Sequence, residues 1–182
     1  MPYKLRPTYL YKQSNDCSLK NVRQRMKTLL IAIGKTDNKY LIQAIDDYLS
    51  RANHYAPIEM KIIPDIRDVK NLSQEQQKER EGQLILKMLQ PGDYVVLLDE
   101  GGKEFTSVGF ADWIQQRMNT VSRRLVFIIG GPYGFSREVY SAAQGKISLS
   151  QMTFSHQMVR VIFVEQFYRA LSILNNLPYH HQ

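Results

Sequence analysis

The chain contains four short runs rich in apolar residues, and longer segments with helical spacing of apolar residues lie between them. The runs span residues 27–33, 58–63, 94–98 and 124–129. Runs of this length predict strands, and the almost continuous apolar character of the first is typical of a strand covered on both faces. Strands that alternate with helices predict an α/β fold, with a mostly parallel sheet and helices on both faces.

The segments between these runs carry helix signals of their own. Residues 38–54 hold their apolar side chains on one helical stripe. Ser73 and Gln76 match a capping box, which predicts a helix from there to about Leu89. The remaining predicted elements are helices over 107–118, from a cap at Ser136 to Ala143, and over 156–174, and a brief fifth strand over 146–148.

The last predicted helix is apolar around most of its circumference. Val159, Phe163 and Phe167 lie on one side, while Val161 and Tyr168 lie elsewhere around it. A helix of this kind must be buried on more than one side. We therefore predict that part of it packs against another chain.

Three predicted loops follow the carboxyl ends of strands, where ligands gather in a parallel sheet. They are residues 99–103, 130–134 and 148–154. The second, Gly130-Gly131-Pro132-Tyr133-Gly134, supplies backbone without bulky side chains, so a flat or phosphorylated ligand could approach the main chain closely. It is not the Gly-x-Gly-x-x-Gly fingerprint, and the chain has no Walker sequence. Its residues are equally consistent with a tight structural turn.

The third loop mixes hydroxyl groups with Leu149, Met152 and Phe154. This composition suits a pocket that receives an apolar ring edge and hydrogen-bonds its heteroatoms. It is also consistent with an ordinary connection from strand to helix, with Ser155 as the N-cap. These residues alone favour the ordinary connection.

Charge is unevenly distributed along the 182 residues, a length that suits one domain. Residues 1–25 carry six basic side chains and one acidic side chain, and so +5 of the formal +7. We predict that they form a basic, flexible N-terminal extension, without a secretory signal, and that residues 26–182 form the domain. The +2 left for that domain does not by itself indicate a nucleic-acid binder. Cys17 is the only cysteine, which fits a reducing cytoplasm.

Histidines and arginines near the carboxyl terminus are the other candidates for chemistry. His156 and His180 have no carboxylate or cysteine at metal-ligand spacing, so we predict no metal site. Glu165 precedes Arg169 by four residues and can pair with it. Arg160 has no such partner in its helix. It is therefore a candidate for contacting a phosphate or a developing anion, or for a salt bridge to a distant carboxylate.

Several motifs, in this order, closely resemble one known family. They are Gly130-Gly131-Pro132-Tyr133-Gly134, Leu149-Ser150-Gln151-Met152-Thr153-Phe154, His156-Gln157-Met158-Val159-Arg160 and Pro178-Tyr179-His180-His181. Residues 26–182 resemble the bacterial ribosomal large-subunit pseudouridine methyltransferase H family of the SPOUT superfamily. The chain departs from the family's pattern at Ser155, where proline is usual, and at Gln182, where the family usually ends in a charged residue.

The resemblance implies an S-adenosylmethionine-dependent methyltransferase that modifies N3 of a pseudouridine in helix 69 of 23S rRNA. It implies action on the large subunit or 70S ribosome in the cytoplasm, by a homodimer without a membrane segment. It also implies a SPOUT-type fold with a C-terminal trefoil knot, which no pattern in the chain indicates independently. Carried over by motif, the residues lining the cofactor pocket would be Leu98, Gly131, Leu149, Ser150, Gln151, Met152, Thr153 and Phe154.

The chemistry that this resemblance implies requires the N3 proton to leave, which places negative charge on the flanking carbonyl oxygens. A cation or hydrogen-bond donor there lowers the barrier. We predict Arg160 in this role with Tyr179 and His180, and either His156 or His180 as the proton acceptor. The tail could act in its own subunit or in its neighbour.

Two other functions remain open beside the one that the resemblance implies. One is a ribosome-binding assembly factor that keeps the fold without turnover. The other is a nucleotide-cofactor oxidoreductase, which the missing glycine fingerprint disfavours.

Overall fold

The apolar runs form strands, and the segments between them form helices. The computed structural model describes residues 26–66 and 72–179, so the predicted extension at residues 1–25 and His180 lie outside the described residues. The elements are β1 (Lys27–Ile33), α1 (Lys39–Asn53), β2 (Ile58–Ile63), α2 (Gln74–Met88), β3 (Tyr94–Lys103), α3 (Ser107–Thr120), β4 (Arg124–Ile129), α4 (Arg137–Ala142), β5 (Gly145–Ile147) and α5 (Met158–Leu174).

The five strands of the described residues are all parallel, in the order β2-β1-β4-β3-β5. Successive side chains of a strand point to opposite faces of the sheet. Leu30 and Phe127 therefore join a core with α1, α3 and α5, whereas Ile31 and Ile128 join a second core with α2 and α4. These two cores explain the apolar runs, and they confirm the predicted α/β class. The trefoil knot stays a prediction.

The helix starts follow the predicted caps. Ser73 Oγ accepts a hydrogen bond from the Gln76 backbone N–H at 3.2 Å, and Gln76 Oε1 accepts one from the Ser73 N–H at 2.9 Å. Each group satisfies a backbone donor that the first turn of a helix leaves free. The predicted capping box of α2 is thus confirmed. Ser136 caps α4 in the predicted way, accepting from the Val139 N–H.

The third strand is longer than predicted. The loop expected at residues 99–103 is wrong, because β3 continues through them to Lys103. After a shift in register beyond Leu98, Lys103 pairs with Ile147 of β5, and the Ser148 N–H donates to the Lys103 carbonyl at 3.1 Å. Glycine and charged residues favour a loop when they are considered locally. Pairing with a distant strand satisfies the backbone carbonyl of Lys103 here.

Helix α5 lies against both α1 and α3. Phe163, Phe167 and Tyr168 are buried there. Burial on more than one side is therefore confirmed, while contact with another chain stays a prediction. Among the described residues, no helix is long and apolar enough to cross a membrane.

An ion pair at the start of the sheet gives the fold a dependence on pH. Asp93 Oδ1 accepts from Arg124 Nε at 2.8 Å, and Oδ2 accepts from the Gln90 N–H at 2.8 Å. Burial raises the pKa of Asp93, but the hydrogen bonds from Arg124 and Gln90 outweigh it, so this pKa lies below its ordinary value. The carboxylate therefore contributes stability above the unfolded pKa, and this contribution is lost as the pH falls through the folded pKa.

We expect Asp93→Asn to lower the free energy of unfolding by about 2 kcal/mol at pH 7. The gap from the wild type should shrink as the pH falls below about 4, where the unfolded carboxyl titrates. Urea denaturation across pH 2.5–7 measures the gap, and Asp112→Asn on the exposed face of α3 is the matched control. A gap that stays constant with pH would contradict the assignment.

Candidate active site

A cavity of about 760 Å³ lies at the carboxyl ends of β3, β4 and β5. Three segments form most of its wall: residues 98–101, 129–135 and 147–156. The structure therefore brings the three predicted segments together, as the parallel sheet requires. The sequence-predicted cofactor residues that line this carboxyl-edge cavity are Leu98, Gly131, Leu149, Ser150, Gln151, Met152, Thr153 and Phe154.

The glycine loop (residues 130–134) is a tight turn that also forms one wall of the cavity. The Gly134 N–H donates to the Gly131 carbonyl at 3.2 Å, and Gly134 has a φ of 81°, in the left-handed region that favours glycine. Phe135, directly after it, is buried in the core that contains α2. The two interpretations of this loop, a turn and a ligand wall, are thus compatible.

The loop from β5 to α5 is held by its own hydroxyl groups. Buried Ser148 donates through Oγ to the Ser150 carbonyl at 3.0 Å, and Ser150 Oγ accepts from the Met152 N–H at 2.9 Å. Ser155 Oγ accepts from the Met158 N–H at 3.2 Å, whereas the N-cap residue of α5 is Gln157. The loop is therefore both an ordinary connection from strand to helix and a cavity wall. Met152 is 75% exposed at the rim.

Negative charge lies on the β3 side of the cavity. Asp99 and Glu100 line it, and Asp99 accepts hydrogen bonds from Tyr140 Oη at 2.5 Å and from the Gly101 N–H at 2.9 Å. Burial and the Asp99 carboxylate raise the pKa of Tyr140 to about 12, so its hydroxyl remains a donor. Tyr140 was missed from the sequence. Its place on α4, directly after the glycine loop, was the available signal.

His156 lines the cavity with an exposed side chain. No described residue forms a hydrogen bond with its ring. Its imidazole is therefore accessible to a molecule in the cavity. Within residues 26–66 and 72–179, no three His, Cys, Asp or Glu side chains form a group that could hold a metal ion.

Arg160 does not line the cavity. It is completely buried, where one guanidinium nitrogen donates to Thr36 Oγ1 at 2.6 Å and another donates to the Ile33 carbonyl at 2.6 Å. Burial lowers the pKa of Arg160, and the charges of Asp65 and Asp37 oppose this effect. No described carboxylate is within salt-bridge distance of it. Arg160 therefore joins α5 to the end of β1, and its catalytic role stays a prediction.

Tyr179 also lies away from the cavity of its own chain. Its hydroxyl donates to Glu165 Oε1 at 3.0 Å and is 3.2 Å from the Tyr48 hydroxyl on α1. Burial and these two hydrogen bonds raise the pKa of Tyr179. Glu165 also accepts from Arg169 Nε at 3.0 Å, which confirms the predicted pair. Of the four predicted catalytic residues, only His156 is seen at the cavity, and His180 is outside the described residues.

Comparisons with known proteins agree with the geometry. The family model described as "Predicted SPOUT methyltransferase" matches residues 26–180. The protein named ribosomal RNA large subunit methyltransferase H from Parabacteroides distasonis is 65% identical over 157 residues, which cover 86% of this chain and all of that protein. The protein of the same name from Flavobacterium johnsoniae is 60% identical over the same coverage.

Among solved structures, the A. aeolicus TrmH/SpoU tRNA modifying enzyme covers 91% of this chain and 89% of its own. The two chains share 14% identity and a TM-score of 0.45. This structural likeness is too weak to support an argument.

Proposed function

Since the chain belongs to the SPOUT methyltransferase family, we propose that it methylates 23S rRNA, at N3 of a pseudouridine in helix 69, with S-adenosylmethionine as the methyl donor. One observation carries this proposal: all eight residues that the family motifs assign to the cofactor lie on one cavity at the carboxyl edge of the sheet. The two relatives described above are named as large-subunit rRNA methyltransferases and are covered over their whole length. The substrate follows from that likeness.

The cavity has the size and chemistry that this cofactor needs. A volume of about 760 Å³ lies within the usual range for small-molecule sites. Gly131 brings bare backbone to the wall, and Asp99 and Glu100 place negative charge where a ligand with a sulfonium cation would be attracted. S-adenosylmethionine supplies an already activated methyl group when bound. The task of the protein is therefore to align the reacting atoms and to exclude water.

His156 is the proposed proton acceptor for pseudouridine N3. It is the one predicted acid–base residue at the cavity among the described residues, and its ring is free to contact a base. Arg160 could contact a base only by leaving Thr36 and the Ile33 carbonyl. Its contacts favour a positioning role, in which it holds the chain after β1 against the first turn of α5, next to His156.

We further propose a homodimer in which the tail of one chain completes the cavity of the other. Tyr179 is bound to Glu165 on its own α5, away from its own cavity. Val161, Ile162 and Ile173 of the same helix remain only half-buried, which suits contact with a second copy. Because the proposed substrate is the ribosome, the proposed place of action is the cytoplasm. The charge of residues 1–25 would then add a salt-dependent attraction to rRNA.

Methyl transfer to ribosomes tests the function. We expect 70S ribosomes from a bacterial strain that lacks this methyltransferase to gain one methyl group on a helix 69 pseudouridine, located by mass mapping. Ribosomes without the added protein are the control, and free 23S rRNA tests whether assembly is needed. Calorimetric titration with S-adenosylmethionine gives the second readout. No binding would contradict the proposal, whereas binding without methylation would favour the assembly factor.

A further inference from the structure

A buried carboxyl group lies beneath the glycine loop, outside the cavity lining. Glu81 of α2 is only 3% exposed, although a carboxylate is seldom buried without a cation. Its Oε1 accepts from Gln77 Nε2 at 2.8 Å, while Oε2 is buried with no hydrogen-bond partner among the described residues. No described basic side chain forms an ion pair with it. An unpaired buried oxygen lowers the stability of the fold, so the burial of Glu81 indicates a role other than stability.

The carboxyl group occupies the space that a side chain at residue 131 would need. A β-carbon built on Gly131 would lie 2.3 Å from Oε2 and 2.9 Å from Cδ of Glu81. The next residue of α2 makes a second close approach, since a β-carbon on Gly82 would lie 2.4 Å from Oγ of Ser136. Ser136 is the N-cap of α4. Two successive residues of α2 therefore support both ends of the segment that joins β4 to α4.

The surroundings of Glu81 raise the pKa of its carboxyl group above the ordinary value. Burial raises its pKa; the hydrogen bond from Gln77 opposes this in part, and the charge of Asp65, which follows β2, raises the pKa further. A protonated carboxyl has one O–H donor as well as acceptor capacity. Such a group can lie against the backbone of the glycine loop without the cost of burying a charge.

We propose that Glu81 is a positioning residue for methyl transfer. It fills the space beneath Gly131 and so fixes the position of the glycine loop relative to the cavity. This proposal rests on the function proposed above. No residue of α2 lines the cavity, so Glu81 acts on the cofactor only through Gly131. Its Oε2, which has no hydrogen-bond partner among the described residues, can accept a hydrogen bond that an apolar group of similar size could not.

Replacing Glu81 tests the support directly. In calorimetric titrations with S-adenosylmethionine, we expect Glu81→Ala to weaken binding about tenfold, because the loop loses its support. Glu81→Gln keeps the shape and hydrogen-bonding capacity in a neutral form, so its dissociation constant should stay within about threefold of the wild type. Glu79→Ala, on the exposed face of the same helix, is the matched control. Equal affinities for Glu81→Ala and the wild type would contradict the proposal.

A double-mutant cycle separates positioning from a general loss of stability. Gly131→Ala should weaken binding about tenfold in the wild type but much less with Glu81→Asp, which withdraws the carboxyl by one methylene. Equal losses in both backgrounds would overturn the proposal, even if Glu81→Ala does not fold. If the wild type does not bind S-adenosylmethionine, the proposed function fails instead. Coupling between the same two substitutions in melting temperature then still tests whether Glu81 sets the loop.

Discussion

Gly102→Ala is expected to weaken S-adenosylmethionine binding by about a hundredfold. A β-carbon at residue 102 would lie 2.5 Å from the carbonyl carbon of Ile147 and 2.7 Å from the backbone nitrogen of Ser148. These are backbone atoms, so no side chain can rotate away to make room. The added carbon must push β5 from β3, and the loop at residues 148–154 moves with it.

Calorimetric titration measures this effect, and Gly145→Ala supplies a control in the same strand pair. A β-carbon on Gly145 would meet nothing within 4 Å, so we expect its affinity for S-adenosylmethionine to equal that of the wild type. Thermal melting of both variants shows whether the loss is local to the cavity. Unchanged binding by Gly102→Ala would mean that β5 does not hold the loop at residues 148–154 in place.

Arg160→Ala is expected to lower the free energy of unfolding by about 3 kcal/mol, because it removes a fully buried side chain and leaves its partners unpaired. Thr36 and the Ile33 carbonyl would each lose a hydrogen bond of 2.6 Å. The same region is tied to α5 by Gln157, whose Oε1 accepts from the Asp37 N–H at 3.1 Å. Methyl transfer should fall together with stability, since His156 precedes this turn of α5.

Urea denaturation and methyl transfer on ribosomes, measured on the same samples, separate the two roles considered for Arg160. Arg160→Met keeps most of the volume, so it should lose less stability than Arg160→Ala. Arg80→Ala, on the exposed face of α2, should stay within about 0.5 kcal/mol of the wild type. If Arg160→Ala keeps full stability and cofactor affinity but loses methyl transfer, the arginine is catalytic, and the positioning role is wrong.

Local patterns were sufficient for much of the fold. The apolar runs at Lys27–Ile33 and Arg124–Ile129 became strands with those bounds, since a strand buried on both faces leaves a signal within a few residues. The capping box of Ser73 needs only three residues of separation. The edge of the sheet that holds the cavity also followed from the order of strands and helices.

Other features depended on contacts between residues far apart in the chain. The composition of residues 99–103 predicts a loop, and the pairing of Lys103 with Ile147 of β5 shows that β3 extends through them. The sequence makes Arg160 a candidate for contact with an anion. Nothing in its own helix indicates that its guanidinium donates to Thr36 and to the Ile33 carbonyl. No pattern in the sequence indicates that Glu81 is buried or that it lies next to Gly131.

The sequence by itself determined the alternation of strands and helices, the caps of α2 and α4 and, through family motifs, a set of residues that line one cavity. These are properties of neighbouring residues, set by backbone geometry and by which side chains avoid water. Only the tertiary structure decided which way Arg160 points, where Tyr179 lies and what supports Gly131. Packing sets these directions, and it joins Glu81 of α2 to a glycine fifty residues away across a distance of a few ångströms.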